Sequence, residues 1–180
     1  NQQETACLQQ SFRLYTLALA GIPELGAMNR MKEQETLPAS ARWRLASAYA
    51  LAGKSEAAGE LVLNAPATDA TGSALYGSPL CDASMVLETL VLMGRTDEAL
   101  RQAQEVSKSL CEESGFSTQS TAFALMAMAR LANQVSGTLH YEWALNGKAP
   151  AEVASGKVAC THRLPATGQG SVLIKNPGEG

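Results

Sequence analysis

The sequence predicts a mainly α-helical protein made of repeated α-hairpins and followed by a small antiparallel β unit. From residue 5 to about residue 135, Ala, Leu and Met dominate, and Gly or Pro falls where helices should break. Within that stretch, a turn that ends on glycine recurs. After Gly137 the pattern becomes β-rich. We therefore expect an α-hairpin region over residues 1–135 and a β-strand region over residues 136–180.

Residues with known preferences for helix ends mark the expected helices. Ser78 before Pro79 is typical of an N-cap followed by the first helical residue. Thr96-Asp97-Glu98 places a cap and acidic residues at the positive end of another helix. The predicted helices cover residues near 5–20, 24–34, 39–52, 55–64, 79–93, 96–112 and 118–134. The last of these is apolar on nearly every side, which predicts that other helices enclose it.

A repeated turn pairs these helices into hairpins. Gly53 and Gly94 lie 41 residues apart within matching segments, and Gly21 lies 32 residues before Gly53 in a similar segment. In each unit a helix of small residues ends on glycine at C′, a short polar turn follows, and a second helix begins. Such hairpins bury their faces only by stacking on their neighbours.

The β region contains one strong hairpin signal. Residues 138–145 alternate partly between polar and apolar, and the Asn146-Gly147 pair that follows favours a two-residue turn. Further strands are predicted near 158–163 and 171–175. Three or four strands with few large apolar residues are marginal alone, so we expect this unit to lean on the helices or to belong to a longer sandwich.

Composition excludes several classes of function. A net charge of about −3, a pI near 5.4 and 14 scattered Lys and Arg residues disfavour nucleic-acid binding. No apolar run approaches the roughly 20 residues of a membrane span. The first residues have no signal-peptide pattern, and we expect the chain to be an excised part of a longer protein.

The four cysteines do not indicate a metal site, because the sequence contains no C-x-x-C pair. Three cysteines in apolar helical contexts, Cys7, Cys81 and Cys111, are interpreted as buried structural thiols, and Cys160 is the fourth.

Three stretches resemble the bacterial branch of the alpha-2-macroglobulin family. Residues 115–125 read Gly-Phe-Ser-Thr-Gln-Ser-Thr-Ala-Phe-Ala-Leu. They resemble the Gly-Phe-x-Ser-Thr-Gln-x-Thr-x-x-Ala-Leu signature of the family's thioester domain, with one residue fewer in the polar turn. Residues 12–21 and residues 76–82, the latter leading into residues 86–90, fit the same branch. Together the three stretches cover most of residues 12–131.

The resemblance implies a fold and a role. The fold would be the later part of an α/α toroid built from hairpins, followed by the opening strands of a β-sandwich. The whole protein would be a secreted, periplasmic or surface-anchored inhibitor that traps proteases after they cleave a bait region. This segment would be scaffold, with no catalytic residue, cofactor or metal of its own. Its partners would be other domains of the same chain and, through the full-length protein, proteases.

The family's reactive centre is a Cys-x-Glu-Gln whose thiol and Gln side chain condense into an internal thioester. Cys7 and Gln10 have that spacing. However, Gln9 replaces the Glu, no Gly or Pro precedes Cys7, and the following helix matches a segment that the family carries downstream of its thioester. We interpret the match as a coincidence on a helix surface.

Other candidate site residues have ordinary structural interpretations. His140 and His162 fall in predicted strands without a Ser or Cys elbow beside them and are interpreted as histidines on the strand surface. The carboxylate pairs Asp82 with Glu88 and Glu112 with Glu113 are interpreted as solvated surface acids. Asp82 and Glu88 lie six residues apart on a helix and therefore do not face each other.

Two polar turns and two tryptophans complete the candidates. Residues 117–121, Ser-Thr-Gln-Ser-Thr, could accept an anion at a helix start, but capping and packing against the next hairpin are favoured. Tyr76-Gly77-Ser78 is interpreted as a shaped turn. Trp43 and Trp143 are predicted to pack in the core or between domains rather than to form a sugar platform.

Two other classes of function remain open from the sequence. Residues 94–100 resemble the turn of a tetratricopeptide repeat, which would suggest a peptide-binding module, although the irregular spacing and the β region do not belong to that class. A polysaccharide lyase or glycosidase on an α/α toroid would need aromatic and acidic residues in a central cleft. Aromatic residues make up only 5% of the chain, which disfavours it.

Overall fold

A computed structural model describes residues 2–63, 65, 78–112, 117–134, 138–156, 162 and 170–176. Over these residues the chain forms seven helices and then three strands, so the mainly α fold class is confirmed. Each predicted helix is present, with ends that differ by a few residues. The helices are α1 (Gln2–Leu19), α2 (Leu25–Lys32), α3 (Ala39–Leu51), α4 (Ser55–Val62), α5 (Pro79–Leu92), α6 (Thr96–Glu112) and α7 (Thr118–Gln134).

Glycine ends α1, α3 and α5, as the repeat predicts. Gly21, Gly53 and Gly94 have φ angles of 79°, 71° and 71°, the left-handed region that glycine adopts without strain. At Gly53 the backbone N–H donates to the Ala50 carbonyl at 3.0 Å, and the next N–H, of Lys54, donates to the Tyr49 carbonyl at 2.8 Å. These two bonds define a Schellman motif, which satisfies the last carbonyls of α3.

Helix α3 lies at the centre of the helical unit. It packs against α1, α4 and α5, and α5 packs in turn against α6. Nine of the thirteen α3 residues are buried, among them Trp43, which confirms its predicted core position. Pairs α3–α4 and α5–α6 are therefore stacked hairpins, as predicted.

Helix α7 differs from its predicted surroundings. Its buried positions are mostly small: Ser120, Ala124, Ala127 and the larger Leu131. Leu125 and Met126, by contrast, are 60% and 59% exposed. The prediction that other helices enclose α7 on all sides is wrong for this chain, because no described helix covers the face that carries these two residues.

The β unit is a three-stranded antiparallel sheet. Its strands are β1 (Leu139–Leu145), β2 (Ala151–Ser155) and β3 (Val172–Lys175), in the spatial order β2-β1-β3. Asn146 and Gly147 follow β1 with φ angles of 53° and 70°, and the Lys148 N–H donates to the Leu145 carbonyl at 3.1 Å. Two positive φ angles in a closed four-residue turn are typical of type I′. The predicted hairpin turn and the strand near 171–175 are confirmed.

Strand β2 was not predicted. It contains Ala, Glu, Val and Ser, of which only Val has high strand propensity. Its pairing with β1, for example Tyr141 opposite Val153, supplies the structure that its composition does not indicate. The strand predicted near 158–163 lies outside the described residues except for His162, which belongs to no strand.

The chain divides into two compact units, Asn1–Leu131 and Ala132–Gly180. The predicted change from α to β at residue 135 falls among residues 135–137, outside the described part of the chain. The assignment of the two regions to a partial toroid and a sandwich stays a prediction.

Candidate functional site

A buried carboxylate joins four helices of the first unit. Glu88 of α5 is 6% exposed. Its Oε1 accepts a hydrogen bond from the Tyr15 hydroxyl of α1 at 2.7 Å, and its Oε2 accepts one from Arg44 Nη1 of α3 at 2.8 Å. Arg130 Nε of α7 lies 3.5 Å from Oε1. We call these four residues the Glu88 network. The interpretation of Glu88 as a solvated surface acid is wrong, because α5 is enclosed by its neighbours.

Two aromatic rings hold the cation of this network. Arg44 has no exposed side-chain surface, and its guanidinium carbon lies 4.5 Å from the centre of the Phe12 ring and 4.3 Å from that of Tyr15. Both distances lie in the range of cation–π attraction. Arg44 Nε and Nη2 have no hydrogen-bond partner among the described residues. The rings therefore supply part of the stabilisation that a second carboxylate would otherwise give.

The environment of Tyr15 disfavours its ionised form. Burial, the hydrogen bond to Glu88 and the charge of that carboxylate raise the pKa of Tyr15 to about 12, although Arg44 and Arg130 act in the opposite direction. Tyr15 therefore remains a neutral donor at physiological pH. The network holds one anion, two cations and a phenol in fixed positions and contains no free nucleophile.

A second polar contact joins α3 to α5 beside this network. The hydroxyls of Ser47 and Thr89 are 2.7 Å apart, and both residues are fully buried. Thr89 also bonds to the carbonyls of Met85 and Trp43, at 2.7 Å and 3.2 Å. Each buried hydroxyl is thus satisfied, and the small side chains let the two helices approach closely.

Three serines join the N-terminal ends of α5 and α7. Ser78 accepts from the Cys81 N–H at 3.3 Å and thus caps α5, and Ser117 accepts from the Ser120 N–H at 3.1 Å and thus caps α7. The Ser78 hydroxyl donates to that of Ser120 at 2.7 Å. The predicted capping and packing are observed. Tyr76 and Gly77 lie outside the described residues.

Cys7 and Gln10 do not form the helix start that a thioester needs. Both lie inside α1. Cys7 is buried at 8% exposure, and its thiol donates to Gln34 Oε1 at 3.5 Å. Cys7 therefore belongs to the core, as its interpretation as a buried structural thiol predicts, and the placement of the Cys7–Gln10 match on the helix surface is wrong for Cys7. Both residues line a cleft of about 450 Å³ together with Met31 and Gln34.

The remaining cysteines and acids divide between core and surface. Cys81 is buried, and burial raises the pKa of its thiol. Cys111 is exposed on α6, so its prediction as a buried thiol is wrong. Asp82 is half-buried. The side chain of Glu112, together with Glu113 and Cys160, lies outside the description.

An aromatic cluster lies on the sheet. The His162 ring stacks on Trp143, with ring centres 4.2 Å apart, and its Nε2 is hydrogen-bonded to the Tyr141 hydroxyl. His162 is therefore a packing residue, whereas His140 is exposed on β1 as predicted. Trp143 packs within its own unit. Over the described residues no three His, Cys, Asp or Glu side chains could hold a metal ion together, and no helix could span a bilayer.

The fold of this chain is similar to that of solved structures. A crystal structure of native alpha-2-macroglobulin from Escherichia coli, spanning domain MG7 to the C-terminus, matches 98% of this chain with a TM-score of 0.62 and 20% identity. A cryo-electron microscopy reconstruction of the native E. coli protein matches 99% with a TM-score of 0.63 and 21% identity. This chain has the fold of part of alpha-2-macroglobulin.

That likeness has a defined extent. The chain spans 26% of the first structure and 11% of the second. No family model and no curated protein matches the sequence. At this identity the likeness shows the fold, and it includes both the helices and the strands of this chain.

The Glu88 network was missed by sequence reasoning, although a signal for it existed. Arg44 lies between Trp43 and Leu45, and Glu88 follows Leu87; each helix carries one other charged residue, Arg42 in α3 and Asp82 in α5. A lone charge on the buried face of such a helix indicates an internal partner of opposite charge. Arg44 and Glu88 lie on the first helices of two repeated hairpins, so aligning the two hairpins would have indicated that these residues form an ion pair.

Proposed function

We propose that this chain is a non-catalytic scaffold segment of a larger alpha-2-macroglobulin-like protein that traps proteases. The observation that supports this most is the fold likeness to E. coli alpha-2-macroglobulin over 98–99% of the chain. The segments that resemble the family's motifs support it independently, since Ser78 and Ser120, from two of those segments, are in contact. The proposed location is the cell envelope or the exterior of a bacterium.

The geometry supports a scaffold role within that protein. The Glu88 carboxylate is engaged by Tyr15, Arg44 and Arg130, and Arg44 has no exposed side-chain surface, which leaves these groups unavailable for chemistry on a substrate. Their arrangement fixes α1, α3, α5 and α7 in one register. In the proposed protein, this unit would hold a rigid shape while other domains meet the protease.

Protease capture tests this proposal on the full-length gene product. The protein is mixed with an active endopeptidase and separated by size. We expect the protease to co-elute with it while still cleaving small peptide substrates but not protein substrates. The same protease inactivated at its catalytic residue is the matched control and should elute alone. An active protease that also elutes alone would contradict the trapping function.

A further inference from the structure

Two N–H groups of Arg44 point to a ligand inside the helical unit. Arg44 has no exposed side-chain surface, and its Nε and Nη2 have no hydrogen-bond partner among the described residues. Its third nitrogen, Nη1, donates to Glu88 Oε2. The rings of Phe12 and Tyr15 attract the cation but offer these two N–H groups no oxygen or nitrogen. Buried donors are normally satisfied, so this edge of the guanidinium calls for an acceptor.

A buried hydroxyl lies one turn away on the same helix. Ser40 is 8% exposed, and its Oγ is also without a hydrogen-bond partner among the described residues. Ser40 precedes Arg44 by four residues, so both side chains lie on one face of α3. Long side chains on a helix lean toward its N-terminus, which directs Arg44 over the turn that carries Ser40. The two residues therefore bring three unsatisfied polar atoms to one side of α3.

The charges around these atoms favour an additional anion. Arg44 and Arg130 both approach the Glu88 carboxylate, so one anion serves two cations. Cys81 does not supply a second anion, because burial and the charge of Asp82 raise the pKa of its thiol, although Arg44 acts in the opposite direction. The start of α3 adds positive potential, since its first turn has no acidic residue and no side-chain cap.

We propose that Arg44 and Ser40 bind a small monovalent anion, such as chloride, inside the helical unit. Nε and Nη2 lie on the same edge of the planar guanidinium, the arrangement that binds an anion through two parallel N–H groups. The Ser40 hydroxyl would donate the third hydrogen bond. Because Arg44 is fully buried, only a small ion suits this site. The proposal does not depend on the protease-trapping function.

An anion fits these three donors better than a water molecule does. Chloride accepts all three hydrogen bonds and needs no acceptor in return. A water molecule has two hydrogens of its own, which need acceptors nearby, and it leaves the excess of positive charge in place. The Glu88 oxygens already accept from Tyr15 and Arg44. A bound anion would therefore complete the charge compensation of the Glu88 network.

Bromide soaking tests the site directly. Bromide replaces chloride and scatters X-rays anomalously, so crystals of the full-length gene product are soaked in sodium bromide. We expect an anomalous peak in contact with Arg44 Nε, Arg44 Nη2 and Ser40 Oγ. A water molecule without anomalous signal, a carboxylate from another part of the polypeptide on these donors, or no peak at this place would each overturn the proposal.

Hydrogen exchange of α3 gives a second measurement, in solution. Exchange of the α3 peptide in the full-length protein is followed as chloride replaces gluconate, an anion too large for a buried site, at constant ionic strength. A ligand that binds the folded state slows opening, so we expect chloride to slow this exchange. In Ser40→Ala the chloride midpoint should rise about tenfold, the loss expected for one hydrogen bond to a charged group.

Ser47→Ala is the matched control. Ser47 is also a buried serine of α3, but its hydroxyl pairs with Thr89 instead of facing the proposed ion. Its variant should keep the chloride midpoint of the unaltered protein. Exchange that is equally fast in chloride and gluconate, or a midpoint that Ser40→Ala leaves unchanged, would overturn the site. Neither measurement involves a protease, so the anion site and the trapping function can fail separately.

Discussion

At the scale of single residues, the Glu88 carboxylate can be buried in the helical unit because its partners compensate the free-energy cost of removing its charge from water. A buried charge without partners would cost many kcal/mol, and here Arg44, Tyr15 and Arg130 surround it. Arg44 in turn lies against two aromatic rings. Each member depends on the others, so removing one leaves a charged or polar group exposed to an apolar environment.

Arg44→Met tests that dependence. The variant leaves the Glu88 carboxylate buried with only Tyr15 and the longer contact to Arg130, so the free energy of unfolding should fall by about 3 kcal/mol. Denaturant titration measures the change. Arg95→Met is the control, because Arg95 pairs with Glu98 at a partly exposed position. It should cost less than about 1 kcal/mol. Equal losses would show that the network contributes no more than a surface pair.

The raised pKa of Tyr15 predicts that the stability of the protein depends on pH in the alkaline range. The pKa of Tyr15 is about 12 in the folded protein against 10.0 for an unperturbed tyrosine, so between these values the unfolded state has lost a proton that the folded state retains. Stability should therefore fall as pH rises from about 10 to 12. Urea titrations across this range should give a shallower decline for Tyr15→Phe than for the unaltered protein. Identical slopes would contradict the assigned pKa.

The positions of these residues in the fold could be predicted from the sequence only in part. Trp43 lies in the core, one of the two environments predicted for it, and the serine caps follow from local hydrogen bonding. Glu88 was wrongly predicted to lie on the surface, because tertiary packing decides how many faces of α5 other helices cover. Spacing within a single helix excludes a pair with Asp82 but does not reveal Arg44, 44 residues away in the chain.

At the scale of elements, the hairpins depend on glycine at the end of their first helix. Gly53 has a φ angle of 71°, and a Cβ atom built there would meet no other atom within 4 Å. The requirement for glycine is therefore a matter of backbone conformation alone. The same conformation recurs at Gly21 and Gly94.

Two alanine substitutions separate this requirement from crowding. Gly53→Ala should destabilise the protein by about 1 to 2 kcal/mol, since an L-residue is strained in the left-handed region. Gly59→Ala, inside α4 and also without a close neighbour, should instead stabilise it by about 0.5 to 1 kcal/mol. Thermal or chemical denaturation of both variants measures the difference. A loss of stability at both positions would mean that packing, rather than conformation, selects glycine at Gly53.

Element positions followed from sequence where local chemistry determines them. The Schellman glycines, the Ser78 cap and the Asn146-Gly147 turn each impose a conformation on their immediate neighbours, so the helix ends and the turn after β1 were predicted correctly. Strand β2 was not, because its pairing with β1 decides its structure rather than its own composition. The open face of α7 could not be foreseen, since it depends on which helices the chain brings to it.

At the scale of the whole molecule, the chain divides into two compact units, and its likeness to E. coli alpha-2-macroglobulin covers 98% of its length. The helical unit contributes stacked hairpins with a buried polar network between them, and one helix, α7, with an exposed apolar face. These properties suit a segment whose role is to support other parts of a larger protein. We propose that any reactive thioester of the full-length protein lies outside this segment.

Intact-mass analysis of the full-length gene product, with and without methylamine, tests that claim most directly. Methylamine opens an internal thioester by adding to the Gln side chain and releasing the Cys thiol, and peptide mapping locates both. We predict that any adduct falls at a Cys-x-x-Gln outside these 180 residues, with Gln10 unmodified. An adduct on Gln10 together with a newly released Cys7 thiol would make this segment the reactive centre and contradict the scaffold account.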